Sequence, residues 1–335
     1  MSVSTAPIPI VMMTGFLGSG KTTLLNALLR HNDMNGTAVL VNEIGAIGID
    51  HDLVIGATDD ILLLEGDCLC CQPQGSLSAG VSRLLALDPS PNRIVMETSG
   101  AANPFPVLET LIQHPAASSE FAFPRVITVL DSVSGLESLS RYAEARFQLG
   151  AADMVVISKT DLSNPSTQTA IQKAAARINP VANYVDGRVV GLPEKFLEML
   201  GQPNDFSGSG LQKSKQQEGH IHGENEFETV GIKFDGRLEV AKVQEWIDQV
   251  LETYGNNLLR IKGILSLHGY DKPAILQCVR DIVYPIETLE TKAMELGKNS
   301  IVAIGWDMHP ELIREFLDNL AVLATQNLPK HQAKL

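Results

Sequence analysis

The sequence predicts an α/β chain: a mostly parallel sheet covered on both faces, followed by a smaller α+β unit. Three observations carry this. Short apolar runs alternate with helical patterns over the first 200 or so residues, as βαβ units require. A glycine-rich stretch sits between the first apolar run and the first helical pattern. Beyond residue 202 the composition turns polar, and strand-like alternation resumes only near Glu228.

The elements follow in order. Ile8 to Thr14 reads as a buried strand, and Lys21 to His31 as a helix with Leu24, Leu25, Leu28 and Leu29 on one face. Further short apolar runs are Thr37 to Val41, Ile61 to Leu64, Arg93 to Met96, Val126 to Leu130 and Met154 to Ile157. Helical patterns between them include Leu77 to Leu87 and Thr167 to Ile178. Right-handed crossovers would bring the strand ends to one edge, where ligands bind. We expect a first domain over 1–202, a flexible polar linker over 203–226, a second domain over 227–326 and a frayed tail over 327–335. In the second domain, strands are expected at Glu228 to Phe234, Leu258 to Leu267, Ala274 to Pro285 and Ser300 to Trp306. Helices are expected at Val240 to Leu251 and Glu311 to Leu323. Four strands and two helices suggest a ferredoxin-like α+β arrangement.

Length and composition bound the function. A chain of 335 residues suits about two domains. With 44% apolar and 19% charged residues, a wholly disordered chain is excluded. Asp plus Glu outnumber Lys plus Arg by 39 to 26, a net charge of −13 that repels phosphate backbones and anionic lipid. No nucleic acid and no membrane partner is therefore expected. No apolar run approaches the roughly 20 residues of a membrane span, and Met1 to Pro9 hold neither Lys nor Arg. A cytoplasmic, reducing location is the expectation.

Gly15-Phe16-Leu17-Gly18-Ser19-Gly20-Lys21-Thr22 fits the phosphate-loop pattern, and the strand before it and helix after it supply the required context. Glycines let backbone N–H groups of Gly15, Gly18, Ser19 and Gly20 turn toward phosphate oxygens. Lys21 would reach the β and γ phosphates, Thr22 would hold Mg²⁺, and Thr23 lies beside them. This predicts a P-loop NTPase. Val155 to Asp161 resembles a guanine-reading motif, Asn-Lys-x-Asp, with Ser158 in place of Asn. Asp161 would accept hydrogen bonds from guanine N1–H and the 2-amino group, which adenine does not offer. The Lys159 stem can pack on the base. Glu97, at the tip of the Arg93 to Glu97 run, would support Mg²⁺ or the attacking water, and Gly100 would let the backbone approach the γ-phosphate. Asn42-Glu43-Ile44-Gly45 is a candidate switch segment. Asp131 is a third strand-end carboxylate, for which a helix N-cap and a catalytic role weigh equally.

Three of the four cysteines, Cys68, Cys70 and Cys71, fall within four positions, which in a reducing compartment favours metal over a disulfide framework. Three thiolates suit Zn²⁺ and leave a fourth position for an exchangeable ligand. Redox activity or plain packing are the alternatives. His220 and His222, flanked by Glu218 and Glu224, are either solvated linker residues or a weak metal-capture pair. For Cys278, burial is the preferred reading.

Together these motifs resemble the CobW-like family of metal-linked GTPases (the CobW/HypB/UreG type), over nearly the whole chain. The resemblance rests on Gly15 to Thr22 with Leu24, Leu25 and Asn26, on Asn42 to Gly45 and on Cys68-x-Cys70-Cys71. It extends to Glu97 to Gly100 through Pro104, Ser158 to Asp161, and Arg260-Ile261-Lys262-Gly263. It implies GTP hydrolysis coupled to delivery of Zn²⁺, or of Co²⁺ or Fe²⁺, to a client metalloprotein. It also implies a dimer-prone, nucleotide-dependent GTPase domain and a client-facing or regulatory C-terminal domain. Asp67 stands where the family usually has Gly; it would supply a harder oxygen ligand or stiffen the turn. Asn103 stands where the family often has Asp.

The leading expectation is a GTP-dependent metallochaperone with Lys21, Glu97 and Glu43 as its reactive groups. Glu43 is the proposed coupler, touching Mg²⁺ water or the thiolate-bound ion. The competing readings are a nucleotide-binding metal buffer or sensor, and an ATP-dependent small-molecule kinase with a structural zinc.

Overall fold

The computed structural model describes residues 7–41, 62–65, 73–87, 90–116, 120–188, 227–255, 257–289 and 296–326. The chain divides into two compact units, one of 1–174 and 183–201, the other of 175–182 and 202–335.

The first unit is built on seven parallel strands among the described residues. These are β1 (Ile10–Thr14), β2 (Thr37–Val41), β3 (Leu62–Glu65), β4 (Arg93–Glu97), β5 (Arg125–Asp131), β6 (Met154–Ser158) and β7 (Asn183–Asp186). Their order across the sheet is β3-β2-β4-β1-β5-β6-β7, with every pair parallel. The helices are α1 (Lys21–Leu29), α2 (Pro73–Leu85), α3 (Pro104–Ile112), α4 (Gly135–Arg141), α5 (Ala143–Ala151) and α6 (Pro165–Ile178).

Strands β1 and β2 are buried at every position, as a doubly covered parallel sheet demands. Val11 and Met13 pack with Leu25 and Leu28 of α1 in one core cluster, and Leu24 and Leu29 lean against it. Ile10 and Met12, at the alternate positions, are equally buried. Asn103 caps α3 by accepting from the Phe105 N–H at 3.1 Å, which accounts for an Asn at this position.

Because all seven strands run the same way, their C-terminal ends share one edge. Met13 pairs with Glu97, Glu97 with Val41, and Val41 with Glu65. Glu97, Asp131, Ser158 and Asp186 are thus delivered to the edge where β1 opens into the glycine loop. Strand β7 escapes sequence reading. Its four residues, Asn183-Tyr184-Val185-Asp186, are half-buried and half polar, so they show no apolar run.

The second unit holds a six-stranded sheet. Its strands are β8 (Phe227–Asp235), β9 (Leu258–Leu265), β10 (Ala274–Val279), β11 (Ile282–Val283), β12 (Glu287–Thr288) and β13 (Lys298–Trp306). The helices α7 (Val240–Tyr254) and α8 (Pro310–Gln326) supply its apolar partners. The strand order is β11-β10-β9-β13-β8, with β12 on β10 and all pairings antiparallel. The expected α+β class holds, with a different count and connection. Ala274 to Pro285 breaks at Arg280, whose φ is +51°, and folds back as β11; β12 is a further two-residue strand. The strand inserted between β8 and β9 is the last one, β13, and the second helix follows it. A ferredoxin-like chain inserts its third strand instead.

Trp246 anchors this unit's core. Its ring is buried, and its Nε1–H donates to the Phe316 carbonyl at 2.7 Å. Cys278 is buried in the same cluster, and burial pushes its thiol up to about 12, consistent with a packing role.

Candidate nucleotide site

The site begins where β1 runs out. Gly15 adopts φ +147°, and a Cβ there would lie 2.4 Å from the Val129 carbonyl oxygen, so only glycine fits. Gly18 and Gly20 are left-handed, and Gly20 immediately precedes α1. The loop thus closes tightly and leads its N–H groups into the positive end of a helix. Lys21, the first residue of α1, is buried, and its Nζ donates to the Gly15 carbonyl at 2.8 Å. Ser19 is buried, and its Oγ meets no hydrogen-bond partner among the described residues.

Two other strand ends close on this loop. Thr98 Oγ1 donates to Thr14 Oγ1 at 2.8 Å, tying the end of β4 to the end of β1. A Cβ on Gly100 would lie 2.9 Å from both the N and the Cα of Leu17, so the chain after β4 touches the phosphate loop directly. Gln148 of α5 straps that chain in place. Its Nε2 donates to the carbonyls of Gly100 and Ala102, each at 3.0 Å. Nothing in the sequence singled out Gln148.

Glu97 is 2% exposed, and its Oε1 accepts from the Thr22 hydroxyl at 2.7 Å. A buried carboxylate beside a hydroxyl on the first turn of α1 offers two hard oxygen donors, the chemistry that Mg²⁺ takes. The residues present therefore fit that ion.

The Ser158–Asp161 loop lies against the same phosphate loop. Ser158 Oγ donates to the Ser19 carbonyl at 2.6 Å, so the hydroxyl spans the gap without the amide of an Asn. Lys159 Nζ donates to the Gly18 carbonyl at 2.6 Å and to Asp131 Oδ2 at 2.7 Å. Thr160 Oγ1 donates to Asp186 Oδ1 at 2.7 Å, and Asp186 is in turn gripped by Arg188. The Arg188 bond leads the interactions that hold the Asp186 carboxyl well below the usual range. Asp161 itself is exposed, in the field of Arg188.

Asp131, which the sequence left between a cap and a catalytic role, accepts from the Val133 N–H at 2.7 Å and the Ser134 hydroxyl at 2.9 Å, besides Lys159. Burial alone would raise its carboxyl, but these bonds outweigh that and hold it below the ordinary carboxylate range.

The structure therefore brings together Gly15, Gly18, Ser19, Gly20, Lys21, Thr22, Glu97, Gly100, Ser158 and Lys159. Thr23 is exposed on α1. Glu43, Asp67, Cys68, Cys70, Cys71, His220 and His222 lie outside the described residues. Among the described residues no group of three or more His, Cys, Asp or Glu is placed to hold a metal ion. No described helix is long and apolar enough to cross a membrane.

A parallel sheet whose first strand opens into such a loop, with a carboxylate beside the helix hydroxyl, defines the class of phosphate-loop nucleotide hydrolases. Within that class the chain belongs to the CobW/HypB/UreG family, whose members are GTPases. The model of the CobW/HypB/UreG nucleotide-binding domain matches residues 9–186, and that of the cobalamin synthesis protein cobW C-terminal domain matches 227–321. The zinc chaperone YjiA of Escherichia coli K12 is 27% identical over 317 residues, covering 92% of this chain and 97% of the relative. The zinc chaperone CobW of a Sinorhizobium species is 26% identical over 306 residues, covering 81% and 85%. The solved structure of the Zn(II)-bound YjiA GTPase from E. coli aligns with a TM-score of 0.68 at 24% identity, over 94% of this chain and 99% of that one. That likeness bears on the fold.

Proposed function

We propose that this chain is a GTP-hydrolysing zinc metallochaperone that loads a client metalloprotein. Lys21 and the amides of the glycine loop bind the phosphates. Thr22 and Glu97 hold Mg²⁺, which supplies charge neutralisation at the reacting phosphate, and Asp161 with Lys159 selects guanine. Cys68, Cys70 and Cys71 carry the transferable Zn²⁺, with Glu43 or Asp67 as a fourth ligand. The single observation that supports this reading best is the pairing of Thr22 with buried Glu97 at the mouth of the glycine loop. The names of the zinc-chaperone relatives add the metal.

Coupling between the two sites has a physical scale. Strand β3 leads toward the cysteine segment and lies three strand positions from β1. At about 4.8 Å per position its end is roughly 14 Å from the start of the phosphate loop. Unit charges at that distance interact by about 0.3–1.2 kcal/mol for effective dielectric constants of about 80 to 20. A multiply charged nucleotide then shifts metal affinity severalfold, and linkage makes the effect mutual. Glu43 follows β2, which lies between them in the sheet, and is the natural relay.

The test is Zn²⁺ titration of the purified protein with and without a non-hydrolysable GTP analogue. A changed affinity is expected, and equal affinity in both states refutes the coupling. Lys21→Ala is expected to abolish hydrolysis and leave Zn²⁺ binding intact, while Cys70→Ser does the reverse. Loss of both activities in each folded variant refutes the division of roles.

A further inference from the structure

We propose that Asp131 is a positioning residue for guanine-nucleotide binding, acting through Lys159. The inference rests on the reading of Ser158–Asp161 as the base site and adds a residue to it from β5.

Lys159 is one of three described non-glycine residues with positive φ, at +54°. A lysine has no intrinsic reason to sit in the left-handed region, so the surrounding bonds must impose it. The Lys159 carbonyl accepts from the Leu162 N–H at 2.9 Å, which closes the turn, and its Nζ makes two bonds, one to the Gly18 carbonyl of the phosphate loop and one to Asp131 Oδ2. The bond to Asp131 is charge-assisted and made to a carboxylate that is itself only 6% exposed. The lysine side chain is 36% exposed, so its long stem would otherwise sample many rotamers. Asp131 thus holds the stem that is to lie on the base face, and holds it against the loop that takes the phosphates. A cap would need only one carboxylate oxygen, and Oδ1 already serves the Val133 N–H. Oδ2 accepts from the Ser134 hydroxyl and from Lys159, and of these three partners Lys159 alone comes from outside the turn that follows β5.

The neighbouring residues support the same purpose. Ser158 is bonded to the phosphate loop and Thr160 to Asp186, so three consecutive residues are each fixed by a different element. Asp161, next in line, is left exposed to meet a ligand. Pre-setting of this kind lowers the ordering cost of binding and leaves the reacting end of the nucleotide alone.

Asp131→Asn is the discriminating variant. Its amide keeps an oxygen for the Val133 N–H but turns N–H donors toward the Lys159 ammonium. The expected result is a KM for GTP raised tenfold or more, with kcat within about twofold of wild type. Lys159→Met is expected to raise KM by a similar factor, and the double variant no further. Asp131→Glu keeps the charge and is expected to restore part or all of the affinity, and Asp131→Ala serves as the disrupting variant should Asp131→Asn fail to fold. Ser134→Ala removes the neighbouring hydroxyl bond to the same oxygen and leaves KM unchanged. If Lys159→Met weakens GTP but folded Asp131→Asn or Asp131→Ala binds as wild type, the proposal is overturned and the base site stands. If the two single effects multiply in the double variant, the residues act independently and the proposal is again overturned. If Lys159→Met itself leaves KM unchanged, the base-site reading fails and the proposal with it.

Discussion

Gly100→Ala puts one methyl group between two loops that must stay in register. A Cβ at this position would lie 2.9 Å from the N and Cα of Leu17 and 2.8 Å from its Cδ2. The side-chain carbon can swing aside, because Leu17 is exposed. The two backbone atoms cannot, and restoring ordinary contact requires the phosphate loop to retreat by about 0.5 Å. Overpacking of this kind costs about 1–3 kcal/mol. For a unit of this size that lowers Tm by about 2–12 °C. The larger effect falls on binding. A charge-assisted hydrogen bond from a loop N–H to phosphate is worth about 1.5–3 kcal/mol, and losing half of one such bond or more costs about tenfold in affinity. The assay is titration with GDP and Mg²⁺, alongside thermal melts of the free and nucleotide-bound protein. GDP affinity reduced tenfold or more is expected, with the folded state retained. A Gly100→Ala protein with wild-type affinity and an unchanged melt would refute the claim that the chain after β4 braces the phosphate loop.

Further outcomes follow from the same packing. Gly80 sits in α2, where a Cβ would make ordinary 3.5 Å contact with Leu40, so Gly80→Ala is expected to stabilise by about 0.5–1 kcal/mol in denaturant titration. A destabilised variant counts against the described contact. Trp246→Phe removes the 2.7 Å bond to the Phe316 carbonyl and leaves a gap; urea unfolding of the second unit should show a loss of about 1–3 kcal/mol. The Asp186 carboxyl is depressed in the folded state, so its ionised bonds stabilise the fold above the unfolded value of about 4 and are lost as pH falls below it. The stability gap between wild type and Asp186→Asn should therefore shrink below about pH 4. A gap that stays constant to pH 3 refutes the assignment.

The residues legible in the sequence are those whose roles are set locally. Gly15, Gly18 and Gly20 announce a tight turn because backbone geometry excludes other residues there. Lys21 and Thr22 follow at fixed spacing on the first turn of α1, and the buried strands announce themselves as apolar runs. Family resemblance then needed only the order of these motifs along the chain. The segments illegible at this level were too short or too polar to carry a pattern, as with β7 and β12, and the break at Arg280 that divides β10 from β11 left no mark in the apolar run.

Periodicity, glycine placement and motif order therefore determined the fold class, the phosphate loop and the family. Tertiary structure alone decided which strand ends meet. Ser158 reaches Ser19 across 139 positions, Thr22 reaches Glu97 across 75, and Asp131 reaches Lys159 across 28. Those pairings follow from the sheet order β3-β2-β4-β1-β5-β6-β7, which places β5 and β6 beside the loop after β1. Strand order is a global minimum over the packing of all the helices and strands at once, so no local window of sequence carries it.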